Sequence, residues 1–219
     1  MLTDKEYKEL SIKEFTKAAA NYESDHAGIY NLCKDDYPFI LEEIKKEDFE
    51  TLLDAGCGTA PMLSLLTEEY HDKKFTGLDL TPEMIEVARK KNLPNTTLVV
   101  GDCENLPFEE NSFDVIINSQ SFHHYPNPQD FFNSVYKVLK PGGRLILRDM
   151  STSSKFVAFL ANHIEMPLAH AIGKGDVGVR RPDEIRTYCE NASLKVEKLE
   201  MQKKMRIHLV ARKMSNYSC

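Results

Sequence analysis

Residues 51–66 read TLLDAGCGTAPMLSLL: an apolar run, a loop of small residues, then a second apolar run. Gly56 and Gly58 stand where a buried strand turns into a helix starting near Thr59. Glycines there allow a tight turn and let a ligand lie against bare backbone, faced by the free amides of the new helix. An acidic residue about twenty positions on, at the end of the next strand, reads ribose hydroxyls in nucleotide-binding α/β folds, and Asp79 in GLDL holds that place. The third glycine of a dinucleotide fingerprint would fall at position 61, which is Pro61. Proline suits the first turn of a helix, so the helix survives while the pyrophosphate fingerprint fails.

Outward from the loop, strand patterns recur at 51–55, 74–80, 96–102, 113–119 and 143–150. Their apolar content is continuous rather than alternating, as in a parallel sheet covered on both faces. Thr81 and Pro82 start one intervening helix, with Met84, Ile85 and Ala88 on one face. Asn127 and Pro128 start another, whose period runs through Phe131, Phe132, Val135, Val138 and Leu139 until KPGG stops it at 140–143. Lys140 then falls in the last turn, where a cation favours the helix dipole. This alternation predicts right-handed crossovers in a doubly wound α/β fold. Residues 1–48 read as helical, as do two stretches of 152–192 split by GKGDVGVRRPDE. The runs 194–204 and 205–213 leave no room for a crossover helix and should pair as an antiparallel hairpin.

The chain has 219 residues, 42% of them hydrophobic, enough for one sizeable core. A net charge of -6 lacks the basic footprint that neutralises phosphates, which speaks against nucleic-acid partners. Cys33, Cys57, Cys103, Cys189 and Cys219 are odd in number and form no C-x-x-C, so a reducing cytoplasm fits better than a disulfide framework. No apolar run approaches the roughly 18 residues of a membrane span, and the charged N-terminus reads as no signal peptide.

Four segments, LLDAGCGTA, TGLDLTPEMIEVARKK, VVGDCENLPFEENSFDVIINSQSFHHY and VYKVLKPGGRLILRDM, resemble in order and spacing the motifs of the class I S-adenosylmethionine-dependent methyltransferases, type 11 (UbiE-like). The resemblance covers residues 50–150 and implies a Rossmann-like seven-stranded sheet, six strands parallel and one antiparallel, with helices on both faces and a helical lid. It implies a single methyltransferase domain over 1–219: an N-terminal helical arm (1–48), a cofactor-binding core (50–150), a helical acceptor-pocket segment (151–192) and a C-terminal hairpin (193–213). S-adenosyl-L-methionine would be the cofactor and S-adenosyl-L-homocysteine its product. By the same resemblance Asp54, Gly56 and Gly58 line the methionine part, within a loop that includes Ala55 and Cys57. Asp79 holds the ribose, Leu80 and Met84 flank the adenine, and Gly101, Asp102 and Cys103 meet its edge. Ser119 and Gln120 line the cofactor by backbone, and Tyr22, with His26, covers it. The family most often has a third glycine where this chain has Ala60.

Methyl transfer from a sulfonium is an in-line displacement that needs positioning, and a general base only where the acceptor must lose a proton. His123 and His124 are the candidates for that base, because imidazole titrates near neutrality. A metal is not expected on them, for want of a third ligand at a recognised spacing. His163 and His170, about two helical turns apart, would share a face in the acceptor segment. Arg180 and Arg181 could hold an acidic acceptor. The expected partner is a small-molecule methyl acceptor, since the fourth strand ends NSQS rather than in the Asn/Asp-Pro-Pro-Tyr stretch of amino-methylating nucleic-acid enzymes. Two other readings compete. A nucleotide-dependent oxidoreductase would use Tyr136 and Lys140 as Y-x-x-x-K, a pattern that also occurs at 30–34 and 70–74. A cofactor-binding protein without catalysis would keep the loop, Asp79 and Asp102. Oligomeric state is not readable.

Overall fold

The computed structural model describes residues 2–24, 30, 33–203 and 205–215. Seven strands, β1 (Thr51–Ala55), β2 (Lys74–Asp79), β3 (Thr96–Val100), β4 (Phe113–Ser119), β5 (Leu139–Met150), β6 (Leu194–Gln202) and β7 (Arg206–Lys213), form one sheet in the order β3-β2-β1-β4-β5-β7-β6. Neighbours from β3 through β5 are parallel, and β7 runs antiparallel to both β5 and β6. Six strands therefore share one direction, as the resemblance implies. The crevice lies between the carboxyl ends of β1 and β4, where the strand order reverses and open α/β sheets bind ligands.

Successive side chains of a strand point to opposite faces, and the central strands are apolar at every step. Leu53, Ile116, Leu145 and Leu147 pack one way, with Phe131, Phe132 and Val135 of the helix Pro128–Val138 and with Ile185 and Cys189 of the helix Pro182–Asn191. Leu52, Val115, Ile117 and Ile146 pack the other way, with Ile40 and Ile44 of the helix Tyr37–Ile44 and Leu63 and Leu66 of the helix Pro61–Glu69. Continuous apolar strands thus mean helices on both faces.

Two local expectations are corrected. The helix from Pro128 ends at Val138, and Leu139 is already extended as the first residue of β5, whose register with β4 shifts around Gly142. Lys140 consequently lies beyond the helix and bonds Asp114 Oδ2 at 2.9 Å. The cation at that helix end is Lys213, whose Nζ donates to the carbonyls of Tyr136 and Leu139, each at 2.8 Å. Thr81 does cap the helix Pro82–Arg89 by position, but without a side-chain bond. The Thr81 amide itself donates to Asp79 at 2.9 Å.

A long helix, Asp4–Ala18, lies across the carboxyl edge of the sheet. Lys8 bonds Asp102 at 2.7 Å and pairs with Glu104, Thr16 bonds Glu83 at 2.8 Å, and Glu14 pairs with Lys174 at 2.5 Å. The lid is tied at both its sides, to the core and to the loop 173–178.

Candidate active site

Under that lid lies a cavity with about 870 Å³ of empty space, part of it open to solvent. Gly56 (φ +82°) and Gly58 (φ +53°) form its loop in left-handed conformations that favour glycine. At Gly56 a Cβ would also fall 2.1 Å from Ser121 Oγ, so the residue cannot be enlarged while Ser121 stays. Ala60, the N-cap before Pro61, holds the same left-handed conformation (φ +62°). Pro61 is the first helical residue, as its sequence position predicts.

Four acids surround the loop. Asp54 is only 3% exposed, and among the described residues no donor bonds its carboxyl. Burial, and then the neighbouring Asp79 charge, push it up to about 8. Asp79 accepts from the Gly58 and Thr81 amides, both at 2.9 Å. Burial raises its carboxyl too, and these two bonds offset part of the rise. Asp102 accepts from the Glu104 amide at 2.9 Å and from Lys8. Glu104 is raised by burial, against the pull of Lys8 and the Asn127 amide. Leu80 and Met84 supply apolar walls and Tyr22 and Phe15 an aromatic cover, with Tyr22 pushed far above its ordinary range by burial.

Of the residues singled out in the sequence, Asp54, Gly56, Cys57, Gly58, Asp79, Leu80, Met84, Asp102, Cys103, Ser119, Gln120, Tyr22 and His124 line this one cavity. Ala55 and Gly101 do not. Ala55 is fully buried in the core, and a Cβ on Gly101 would meet Leu78, so its smallness serves packing. His26 lies outside the described residues. Met84, 1% exposed, both fills the core and faces the cavity.

His123 does not reach the cavity and is corrected as a candidate base. Its Nδ1 is 2.6 Å from Asp149 Oδ1 and its Nε2 3.3 Å from Asp176 Oδ1. Burial opposes its charge, but the two carboxylates win and raise it to about 10, so the empty site favours the protonated ring. His124 does line the cavity, edge-on to Phe15 with ring centroids 5.1 Å apart. Burial, and then the His123 charge, lower it to about 4 and keep it neutral. Tyr136 and Lys140 lie away from the cavity, which removes the geometry a Y-x-x-x-K oxidoreductase would need. Arg181 is spent on Asp183 at 2.9 Å and Glu184 at 3.3 Å. Arg180, His163 and His170 line a separate groove between the lid and the helical run 155–171, the two histidines on one face as expected.

Lys8, Ser11, Phe15, Ser121 and Tyr125 also line the cavity but carried no sequence signal. The Tyr125 hydroxyl sits 2.7 Å from Ser121 Oγ and accepts from Asn118 Nδ2 at 3.0 Å. Gln120, at φ +50°, is held by its Nε2 bond to Asp36 Oδ2 at 2.6 Å, and Asp36 in turn pairs with buried Arg148 at 2.9 Å. Ser119 Oγ is buried without a hydrogen-bond partner. Such orphaned polar atoms call for a ligand, because leaving them unpaired costs free energy.

Residues 53–147 match the family model described as methyltransferase domain. Over 105 residues the chain is 43% identical to the phthiotriol/phenolphthiotriol dimycocerosates methyltransferase of Mycobacterium leprae (strain TN), covering 48% of this chain and 39% of that protein. The chain thus spans about two fifths of the length of the mycobacterial relatives it matches. The malonyl-(acyl-carrier protein) O-methyltransferase of Marinomonas sp. (strain MWYL1) is 27% identical over 214 residues, 97% of this chain and 71% of that protein. Among solved structures, a chain of the complex between the Haloferax volcanii Trm112 methyltransferase activator and a methyltransferase superposes with a TM-score of 0.76. Its identity is 19%, and the match covers 92% of this chain and 98% of that one. At that identity the likeness concerns the fold alone.

Proposed function

From the match of residues 53–147 to the methyltransferase domain model, we propose an enzyme that moves a methyl group from S-adenosyl-L-methionine to a small-molecule acceptor. The observation that carries this reading is the composition of the cavity: a buried, unbonded Asp54 carboxyl and the orphaned Ser119 Oγ beside a glycine loop, with Asp79 at the end of the next strand. These groups fit a ligand that brings an ammonium, a carboxylate, a ribose and an adenine but no phosphate. Asp54 faces the cationic methionine end, and the Asp79 carboxylate, with lone pairs left after its two amide bonds, takes the ribose hydroxyls. Leu80 and Met84 flank the adenine, and Asp102 accepts from its amino group. The cofactor supplies an electrophilic methyl on a sulfonium, and S-adenosyl-L-homocysteine is the product.

The chain's own contribution is positioning. The lid helix and Tyr22 would cover a bound cofactor and shield it from water, and the cavity walls would position the acceptor against it. His124 is neutral and cavity-facing, suited to accept a hydrogen bond from the acceptor rather than to take a proton outright. The acceptor enters from the helical run 155–171, whose Phe156 and Leu168 are 69% and 66% exposed. That apolar surface, and relatives whose names specify a dimycocerosate and a malonyl-(acyl-carrier protein), favour an acceptor oxygen on an apolar or acyl molecule. Among the described residues no helix is long and apolar enough to cross a membrane. With the acidic charge, this supports a cytoplasmic enzyme whose acceptor is not a nucleic acid.

The test is titration calorimetry with S-adenosyl-L-homocysteine and, separately, NADH. Saturable micromolar binding of the former alone is expected, and binding of NADH alone would overturn the proposal. An acceptor screen follows, in which release of S-adenosyl-L-homocysteine separates an enzyme from a protein that only binds the cofactor.

A further inference from the structure

We propose that His123, His124 and Asp176 form a binding site for one divalent first-row transition ion, beside the cavity that His124 lines. The short helical turn Phe122–His124 sets the consecutive imidazoles side by side, ring centroids 4.2 Å apart. Both Nε2 atoms converge on one carboxylate oxygen, Asp176 Oδ1, at 3.3 Å from His123 and 3.8 Å from His124. One donor atom from each of the three residues lies within 4.8 Å of the others. Nitrogen and oxygen ligands bound at about 2.0 to 2.2 Å to a common ion stand roughly 3 to 3.5 Å apart. Closing the site therefore asks for side-chain shifts of a few tenths of an ångström to about one. The third ligand missing from the sequence comes from a distant loop.

The surroundings are those of a built ligand set. Asp149, 0% exposed, accepts from His123 Nδ1–H at 2.6 Å, which fixes the tautomer that aims Nε2 at the ion. The loop carrying Asp176 is held by the Val177 and Gly178 amides on the His123 carbonyl at 2.9 and 3.2 Å. His170 Nε2 holds the Asp176 carbonyl at 2.5 Å and Glu14 the Gly175 amide at 2.8 Å. Loading displaces the Nε2 proton of His123 to solvent, and Asp149 and Asp176 then balance a dication over two neutral imidazoles, so the loaded cluster buries no net charge. Two nitrogens and one oxygen, without thiolate, suit zinc, manganese, cobalt or iron with positions left open. Because His124 faces the cavity, an open position can take an acceptor oxygen and lower its proton affinity. That role, unlike the site itself, rests on the methyl-transfer reading.

The experiment uses the full chain stripped with EDTA and titrated with zinc chloride by calorimetry, and with cobalt chloride by absorption, in the absence of cofactor and acceptor. One ion per chain is expected, with visible cobalt d–d bands and no near-ultraviolet thiolate band. Asp176→Asn and His124→Ala should each weaken zinc at least about 10-fold, the lower end of what even a supporting partner contributes. Far-ultraviolet circular dichroism checks the fold, and Asp176→Asn decides alone if His124→Ala unfolds, because Asp176 is the more exposed. The proposal is overturned by a titration that does not saturate, by a thiolate band, or by zinc binding as tight in Asp176→Asn as in the parent.

Discussion

Binding of S-adenosyl-L-homocysteine should expel a proton from Asp54. With its carboxyl at about 8, Asp54 is about nine-tenths protonated at pH 7 in the empty cavity. The ligand's ammonium beside it favours the carboxylate, and an opposite charge at a few ångströms lowers a carboxyl by about 1 to 3 units or more when buried. About 0.4 to 0.9 proton per ligand is therefore released at pH 7, falling toward zero above about pH 9, where Asp54 is already ionised. Calorimetry in phosphate and in Tris at the same pH reads this directly, as the difference in observed enthalpy divided by the difference in buffer protonation enthalpy. Asp54→Asn should abolish the release and weaken binding. Its effect on stability has the opposite sign. Because the folded-state value is raised above the ordinary 3.8, folding is favoured most at low pH and loses stability as pH rises from about 4 to about 8. At pH 7 the loss is at most about 4 kcal/mol, and Asn does not incur it, so the ligand-free variant should melt higher than the parent. Enthalpies equal in both buffers, or proton release that persists in Asp54→Asn, would refute the placement of the cationic end of the ligand against this carboxyl.

Asp79→Ala should weaken S-adenosyl-L-homocysteine by about 1.5 to 3 kcal/mol, the worth of a hydrogen bond to a charged group; unchanged affinity by calorimetry would put the ribose elsewhere. Asp36→Ala strips the carboxylate from buried Arg148 and from Arg206, which approaches it at 3.3 Å, and should cost about 3 to 5 kcal/mol in urea unfolding. A loss under about 1 kcal/mol would show the network to be hydrated. Ala60→Gly relieves a left-handed residue worth about 1 to 2 kcal/mol and gives most of that back as unfolded-state entropy and a lost methyl contact. The melting temperature should stay within about 3 °C, with cofactor binding retained, whereas a fall of more than about 6 °C would mean the methyl group is needed.

The succession of strands and helices along the chain, the loop between Gly56 and Gly58, and the acid at Asp79 were legible in the sequence because each depends on local chemistry. Continuous apolar runs need two covered faces, a positive φ needs glycine, and an acid at a strand end needs only the strand to end there. What the sequence could not contain is which side chains face each other across distant segments. His123 and His124 look equivalent side by side, yet Asp149 and Asp176 charge the one, while burial and that charge keep the other neutral. Lys140 reads as a helix cap until Lys213, brought in by the last strand, takes the carbonyls. Lys8 and Phe15 acquire their place in the cavity only when the first helix crosses the sheet edge. Local pattern fixes the backbone's turns and strands, whereas solvation and charge at a site depend on the whole chain's packing, and it is packing that sets Asp54 near 8 and gathers three possible metal ligands from two loops.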